Sequence, residues 1–167
     1  MAAGRERDEY GRGVEAPLCG GCRDEGRCRF GIGTMFVTGQ EARAAVRCPA
    51  SSRGGPSIAH GGWIAAVFDD LVGRMLIAQG IAVVTSSLKV DFLKPTPVEE
   101  DLIATVRSRA DGERRWVVTA KLALAMAPDR ALAEATALMI EPRPGHYQRH
   151  ADEIAAYRAK ERPLSGP

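Results

Sequence analysis

The sequence predicts an α+β domain in which a long antiparallel sheet wraps around one central helix. Three observations predict it. A single stretch, from Gly61 to Gln79, carries helix-period apolar residues and stops at Gly80. Nearly everything after it alternates apolar and polar side chains with the period of a strand. Turn residues punctuate these runs at short, regular intervals. The 167 residues suffice for one domain with a real core.

In chain order, residues 1–17 are expected to be a flexible N-terminus, residues 18–142 the folded domain, and residues 143–167 a polar C-terminal tail. Arg29 to Val37 and Glu41 to Cys48 read as strands joined by the turn Thr38-Gly39-Gln40. Ser51 to Pro56 is a loop leading into the helix. Ile81 to Leu93 is the next strand, with Val84, Leu88, Val90 and Phe92 on one face and Thr85, Ser87, Lys89 and Asp91 on the other. Pro95 and Pro97 end it. Asp101 to Arg109, Arg115 to Ala127 and Ala131 to Ile140 complete the set. The last two are alanine-rich, but Val117, Thr119 and the alternation Leu122, Leu124, Met126 favour strand over helix.

Composition narrows the function. A net charge of +2, from 23 basic and 21 acidic residues, gives no electrostatic footprint for nucleic acid. No apolar run approaches the roughly 18 residues that a membrane span needs. Met1 to Gly13 is charged and lacks the apolar segment of a secretory signal, so the protein is expected to be cytoplasmic. Cys19-Gly-Gly-Cys22, with Cys28 and the distant Cys48, has one tight pair where a structural zinc site usually presents two. These are read as reduced thiols, and no metal or cofactor is expected.

The helix is expected to be buried on nearly all sides. Ile64, Val67, Phe68, Leu71, Met75 and Ala78 form a broad apolar face. Roughly opposite runs a stripe of Gly62, Ala65, Ala66, Asp69, Gly73 and Leu76, small enough for a ligand or another backbone to approach. Asp70 points elsewhere and has Arg74 one turn on, which suits a solvated ion pair. Asp69 has no such cation. A carboxylate in an apolar crevice holds its proton more tightly and can serve as a general base or nucleophile. Helix geometry alone leaves open the other reading, a carboxylate bonded to backbone groups across a dimer interface.

Ahead of the helix stand His60, Gly61 and Gly62. Bare backbone N–H groups at a helix start can bind a developing oxyanion, and two glycines leave the approach unobstructed. His60 is a candidate for orienting this turn.

The run AHGGWIAAVFDD, then TSSLKVDFLKPTPV, then LAEATALMI, resembles hotdog-fold acyl-CoA thioesterases of the phenylacetyl-CoA (PaaI-like) and thioesterase superfamily member type. The resemblance covers about residues 50–140. It rests on His-Gly-Gly with an aspartate nine positions after the histidine, followed by Thr-x-x-Leu-x-Val-x-Phe-x-Lys-Pro. It implies a hotdog fold and a homodimer or dimer of dimers. The implied reaction is hydrolysis of acyl-CoA or acyl-carrier thioesters to free acid and thiol. Carried over by residue, it makes Asp69 the catalytic base or nucleophile, Gly61 the oxyanion amide, and Thr85 the holder of the attacking water. His60, Gly62 and Ser87 are implied substrate-side candidates, Ser87 sharing the face assigned to Thr85. The site is implied to be shared between subunits, with Asp69 and Thr85 meeting from different ones. Trp63 departs from the family pattern, being bulky where a smaller residue is expected. Rival readings are a hotdog dehydratase or hydratase, for which His60 is poorly placed, and a non-catalytic acyl-CoA-binding protein.

Overall fold

A computed structural model describes residues 13–161 of the chain. The framework is one antiparallel sheet laid over one helix. Strand β2 (Ile32–Thr38) turns at Gly39, whose φ of 59° suits glycine, into β3 (Glu41–Arg47). A short 3-10 turn and the small ribbon β4 (Arg53–Gly55) and β5 (Ile58–Ala59) lead into helix α1 (Gly61–Ile77). Four strands follow: β6 (Val84–Phe92), β7 (Asp101–Ala110), β8 (Arg115–Leu124) and β9 (Ala131–Ile140). Helix α2 (His146–Glu161) closes the described chain.

The main sheet runs β1-β2-β3-β7-β8-β9-β6, where β1 is Val14–Glu15. Every neighbouring pair is antiparallel. The strand that leaves the helix, β6, therefore crosses to the far edge and, among the described residues, pairs only with β9.

The sheet and helix divide the work of filling the core. The strands' inward positions are often alanine: Ala44, Ala104, Ala120, Ala133, Ala135 and Ala137 are all buried. The helix supplies the bulk through Val67, Phe68, Leu71 and Met75, which are fully buried. Small sheet residues let the helix lie close, and its large side chains fill the gap to native density. That exchange explains how a core with so few aromatics is filled.

The predicted apolar face of α1 is buried throughout, but the opposite stripe is mixed. Gly62 and Asp69 are exposed and Ala65, Ala66 and Gly73 half-buried, whereas Leu76 is fully buried, a correction to its place in the open stripe. The helix ends at Ile77, slightly short of expectation. Gly80, at φ 82°, then reverses the chain, and Ile81 N–H reaches back to Leu76 O at 3.0 Å.

Of the expected flexible N-terminus, residues 1–12 lie outside the described residues. Its last residues are tied down: Val14 and Glu15 pair with β2, and Ala16 N–H donates to Met35 O at 2.8 Å. No helix among the described residues is long and apolar enough to cross a membrane.

Candidate active site

The helix start is held open by its cap. His60, at φ −66° and ψ 136°, is the N-cap, and its Nδ1 accepts from Gly62 N–H at 2.8 Å. The proton of a neutral ring then sits on Nε2. Behind it, Gly54 packs so tightly that a Cβ there would lie 2.7 Å from His60 Cα. His60 N–H donates to Ser52 O at 2.8 Å, fixing the cap from the other side. With Gly62 engaged, Gly61 keeps a backbone N–H that no group among the described residues accepts. Gly61 lines a cavity of about 330 Å³ together with Ile58, Ile64, Phe92, Leu93 and Lys94.

Two turns along, Asp69 meets Thr85. The threonine Oγ1 donates to Asp69 Oδ1 at 2.8 Å. This contact depends on an irregularity in β6. Val84 lies opposite Ile140 and Thr85 opposite Met139, but the next paired residue is Ser87, opposite Leu138. Ser86 is thus an extra residue, a β-bulge. Residues opposite each other in an antiparallel pair share a face. Met139, Ala137 and Ala135 are buried, so Thr85, Leu88 and Val90 all face the helix.

The bulge corrects the sequence reading of this strand. Strict alternation put Thr85 opposite Leu88, Val90 and Phe92; one extra residue reverses parity and brings it onto their face. Ser87, expected to share the face of Thr85, instead stands with Leu138 on the outer side and is exposed. Asp69 and Thr85 also meet within one chain rather than from different subunits.

Other expectations change in a single chain. Asp69 is exposed, not enclosed in an apolar crevice. It lines a second cavity, of about 230 Å³, with Thr85, Leu18, Cys19, Ile77 and Met139. Gly61 lies eight residues earlier on the same helix, about 12 Å away at the α-helical rise. The amide and the carboxylate therefore open into different cavities. Asp70 does pair with Arg74, at 3.5 Å, yet the pair is buried, with side chains 7% and 3% exposed, rather than solvated. Arg74 Nη2 donates to Ala16 O at 3.1 Å, while its Nε and Nη1 have no hydrogen-bond partner among the described residues. That neighbour of the N-terminal segment could not be read from helix spacing.

Basic side chains are scattered over this part of the chain. Lys94 borders the Gly61 cavity, Arg114 caps carbonyls of Glu141 and Pro142, and Arg115 pairs with Asp111 at 2.6 Å. The last contact holds the Asp111 carboxyl below its ordinary range. Trp63 is buried, with its Nε1 donating to Phe30 O at 3.2 Å, so its bulk fills the core. All four cysteines are free thiols, and among the described residues no group of three or more His, Cys, Asp or Glu is arranged to hold a metal ion.

Comparison with known proteins agrees with this architecture. The thioesterase superfamily profile matches residues 57–123, from the loop before α1 through most of β8. Among curated proteins none matches the chain. A Streptococcus mutans protein solved bound to acetyl-CoA is 22% identical, with a TM-score of 0.62 over 70% of this chain and 92% of its own. The Escherichia coli PaaI protein of the phenylacetic acid degradation operon is 22% identical, with a TM-score of 0.58 over 67% and 78%. A hypothetical thioesterase from Streptococcus pneumoniae, solved with coenzyme A, is 21% identical, with a TM-score of 0.56 over 60% and 80%. It has also been solved with an aspartate and with a threonine replaced by alanine. The matched proteins differ in length, and the chain spans only 55% of one thioesterase superfamily protein. The chain thus has the hotdog fold, and its segment bearing α1 and the candidate residues matches the thioesterase superfamily.

Proposed function

We propose that the protein hydrolyses acyl thioesters of coenzyme A or an acyl carrier, with Asp69 as general base, Thr85 orienting the water, and Gly61 N–H receiving the oxyanion. The Thr85–Asp69 hydrogen bond carries this reading. These residues are 16 positions apart, as are the aspartate and threonine replaced in the S. pneumoniae thioesterase structures. The bond commits Asp69 Oδ1 to the threonine and leaves Oδ2 to accept a water proton. Thr85 Oγ1 keeps a lone pair to accept from the same water. The water oxygen attacks the thioester carbon, its proton passes to Asp69, and the tetrahedral oxyanion collapses to expel the thiolate.

One chain cannot complete this site, because its Gly61 amide is about 12 Å along the helix from Asp69. The reading therefore requires a second copy, arranged so that Gly61 of the partner subunit faces Asp69. Two features support such an arrangement. Among the described residues, the nine-residue edge strand β6 has a partner on one side only. Phe92 and Leu93 at its end, together with Ile58, are exposed apolar groups beside Gly61.

A thiol-detection assay over a panel of acyl-CoAs tests the proposal, and turnover with release of free coenzyme A is the expected result. Tight acyl-CoA binding without thiol release would favour a non-catalytic binder. Formation or loss of an enoyl thioester without thiol release would favour a hydratase or dehydratase.

A further inference from the structure

The loop beside Asp69 holds chemistry that thioester hydrolysis does not use. Cys19-Gly20-Gly21-Cys22 forms a tight turn, with Cys22 N–H and Arg23 N–H both donating to Cys19 O, at 3.0 and 3.1 Å. A turn of this kind brings its end Cα atoms within about 7 Å. A disulfide needs about 4.4–6.8 Å, a span that such a turn covers. Gly20 lies in open space, with nothing within 4 Å of where its Cβ would be, so the turn has room there to adjust as two sulfurs join.

We propose that Cys19 and Cys22 are a thiol–disulfide exchange site whose co-reactant is a low-molecular-weight disulfide. The roles follow from position. Cys19 is partly exposed and lines the Asp69 cavity, where a small disulfide can reach it. Cys22 is buried and accepts from Arg29 twice, from the backbone N–H at 3.2 Å and from Nε at 3.4 Å. Those bonds, the backbone one first, hold its thiol below the ordinary range and favour ionisation of the sulfur behind Cys19. Burial, then the hydrogen bond with Cys22, raises the Cys19 thiol. The remaining cysteines are separately engaged. Cys28 Sγ faces Asp70 Oδ2 at 4.0 Å, and Cys48 Sγ donates to Pro49 O at 3.6 Å.

In the exchange, Cys19 Sγ loses its proton and attacks one sulfur of R–S–S–R, expelling RS⁻ and leaving Cys19–S–S–R. Cys22 thiolate then attacks Cys19 Sγ and expels the second RS⁻. The protein gains one disulfide and loses two protons, and the small disulfide becomes two RSH. Forming the bond draws Cys22 Sγ away from Arg29, which anchors the loop through Gly21 O as well, at 2.6 Å. Pro17, Leu18, Cys19, Gly20 and Arg23 wall the Asp69 cavity, so the oxidised loop reshapes it. This last consequence rests on the hydrolase reading; the exchange itself does not.

The test incubates the reduced full chain with oxidised glutathione, alkylates the remaining thiols and maps them by mass spectrometry. A Cys19–Cys22 disulfide, with Cys28 and Cys48 alkylated, is expected in the wild type. Cys22→Ser should instead accumulate a glutathione adduct at Cys19. Alkylation of both Cys19 and Cys22 in folded wild-type protein would overturn the proposal, whatever the variant does, and so would a disulfide to Cys28 or Cys48. Thioester hydrolysis is expected to fall several-fold in the oxidised protein and to recover with dithiothreitol; unchanged hydrolysis would overturn the link to the cavity. If the reduced protein releases no thiol at all, the hydrolase reading fails while the mass map still decides the exchange site.

Discussion

Gly62 N–H donates to His60 Nδ1 at 2.8 Å, and this single bond decides which of two adjacent glycines offers a free amide. It spends one donor of the helix start and leaves Gly61, the first helical residue, to meet a ligand. Proline is well tolerated at that first position, and the extended backbone of His60 is what a following proline requires. Gly61→Pro should therefore remove the N–H while preserving the helix. Turnover is expected to fall about 10²–10³-fold, the usual loss for one oxyanion donor. Far-ultraviolet circular dichroism should be unchanged, and near wild-type turnover would show that this amide does not act.

The Thr85–Asp69 contact makes a graded prediction. Asp69→Asn should cut hydrolysis about a hundredfold or more, and Thr85→Ala less, since the hydroxyl only orients water. Deleting Ser86 removes the bulge yet keeps Thr85 on the inner face, because Thr85, Leu88 and Val90 then alternate regularly with Ser87 and Lys89, so its loss should be smaller than that of Thr85→Ala. Ser87→Ala should be neutral. Steady-state kinetics of the four variants checks the order, and a strong effect at Ser87 would contradict the assigned faces.

That bulge also marks where the sequence stops being legible. Strand and helix identities follow from period, and Ala131–Ile140 is recovered to the residue, because repeated burial on one face imposes repetition on the chain. A bulge carries no compositional mark: Thr85-Ser86-Ser87 reads as uninterrupted alternation, and only pairing with β9 shows the inserted residue. The candidates Asp69 and Thr85 could be named from the sequence, but not the geometry that joins them. The burial of Asp70 and Arg74 was equally hidden, since it depends on Ala16, 58 positions from Arg74. Local spacing reports who can pair along a helix, not what covers the pair.

If Gly61 and Asp69 act on one carbonyl from different copies, two inactive variants should rescue each other. A dimer of one Asp69→Asn and one Gly61→Pro chain keeps one site with both groups intact. Random pairing makes half of the dimers mixed, so about a quarter of all sites should be functional. Co-expression with two affinity tags isolates the mixed dimers, in which about half of the sites should be functional by thiol-release assay. Failure to recover activity in mixed dimers would mean that each chain works alone.

The two neighbouring carboxylates should behave oppositely toward unfolding. Asp69 is exposed, so Asp69→Asn should change stability little. Asp70→Asn leaves the Arg74 guanidinium buried beside a neutral amide, a change that typically costs about 3–5 kcal/mol. Replacing the pair together, as Asp70→Leu with Arg74→Met, should recover most of that loss, because no orphaned charge remains. Urea denaturation of the three proteins separates the cases. Equal midpoints for Asp69→Asn and Asp70→Asn would contradict the burial of the ion pair.

Cys48 gives stability a distinct alkaline signature. Burial pushes its thiol from 9.0 up to about 11, so the folded chain keeps a proton that the unfolded chain releases earlier. Below pH 9 both states hold the proton and the full contribution of the buried thiol is present. As pH rises from there through about 11, the unfolded state gains by ionising first, and the contribution is lost. Alanine at this position has nothing to ionise. The stability difference between wild type and Cys48→Ala, measured by denaturant titration with the thiols kept reduced, should therefore stay level below pH 9 and shrink above it. A difference that is constant through about pH 11 would mean that the thiol ionises alike in both states.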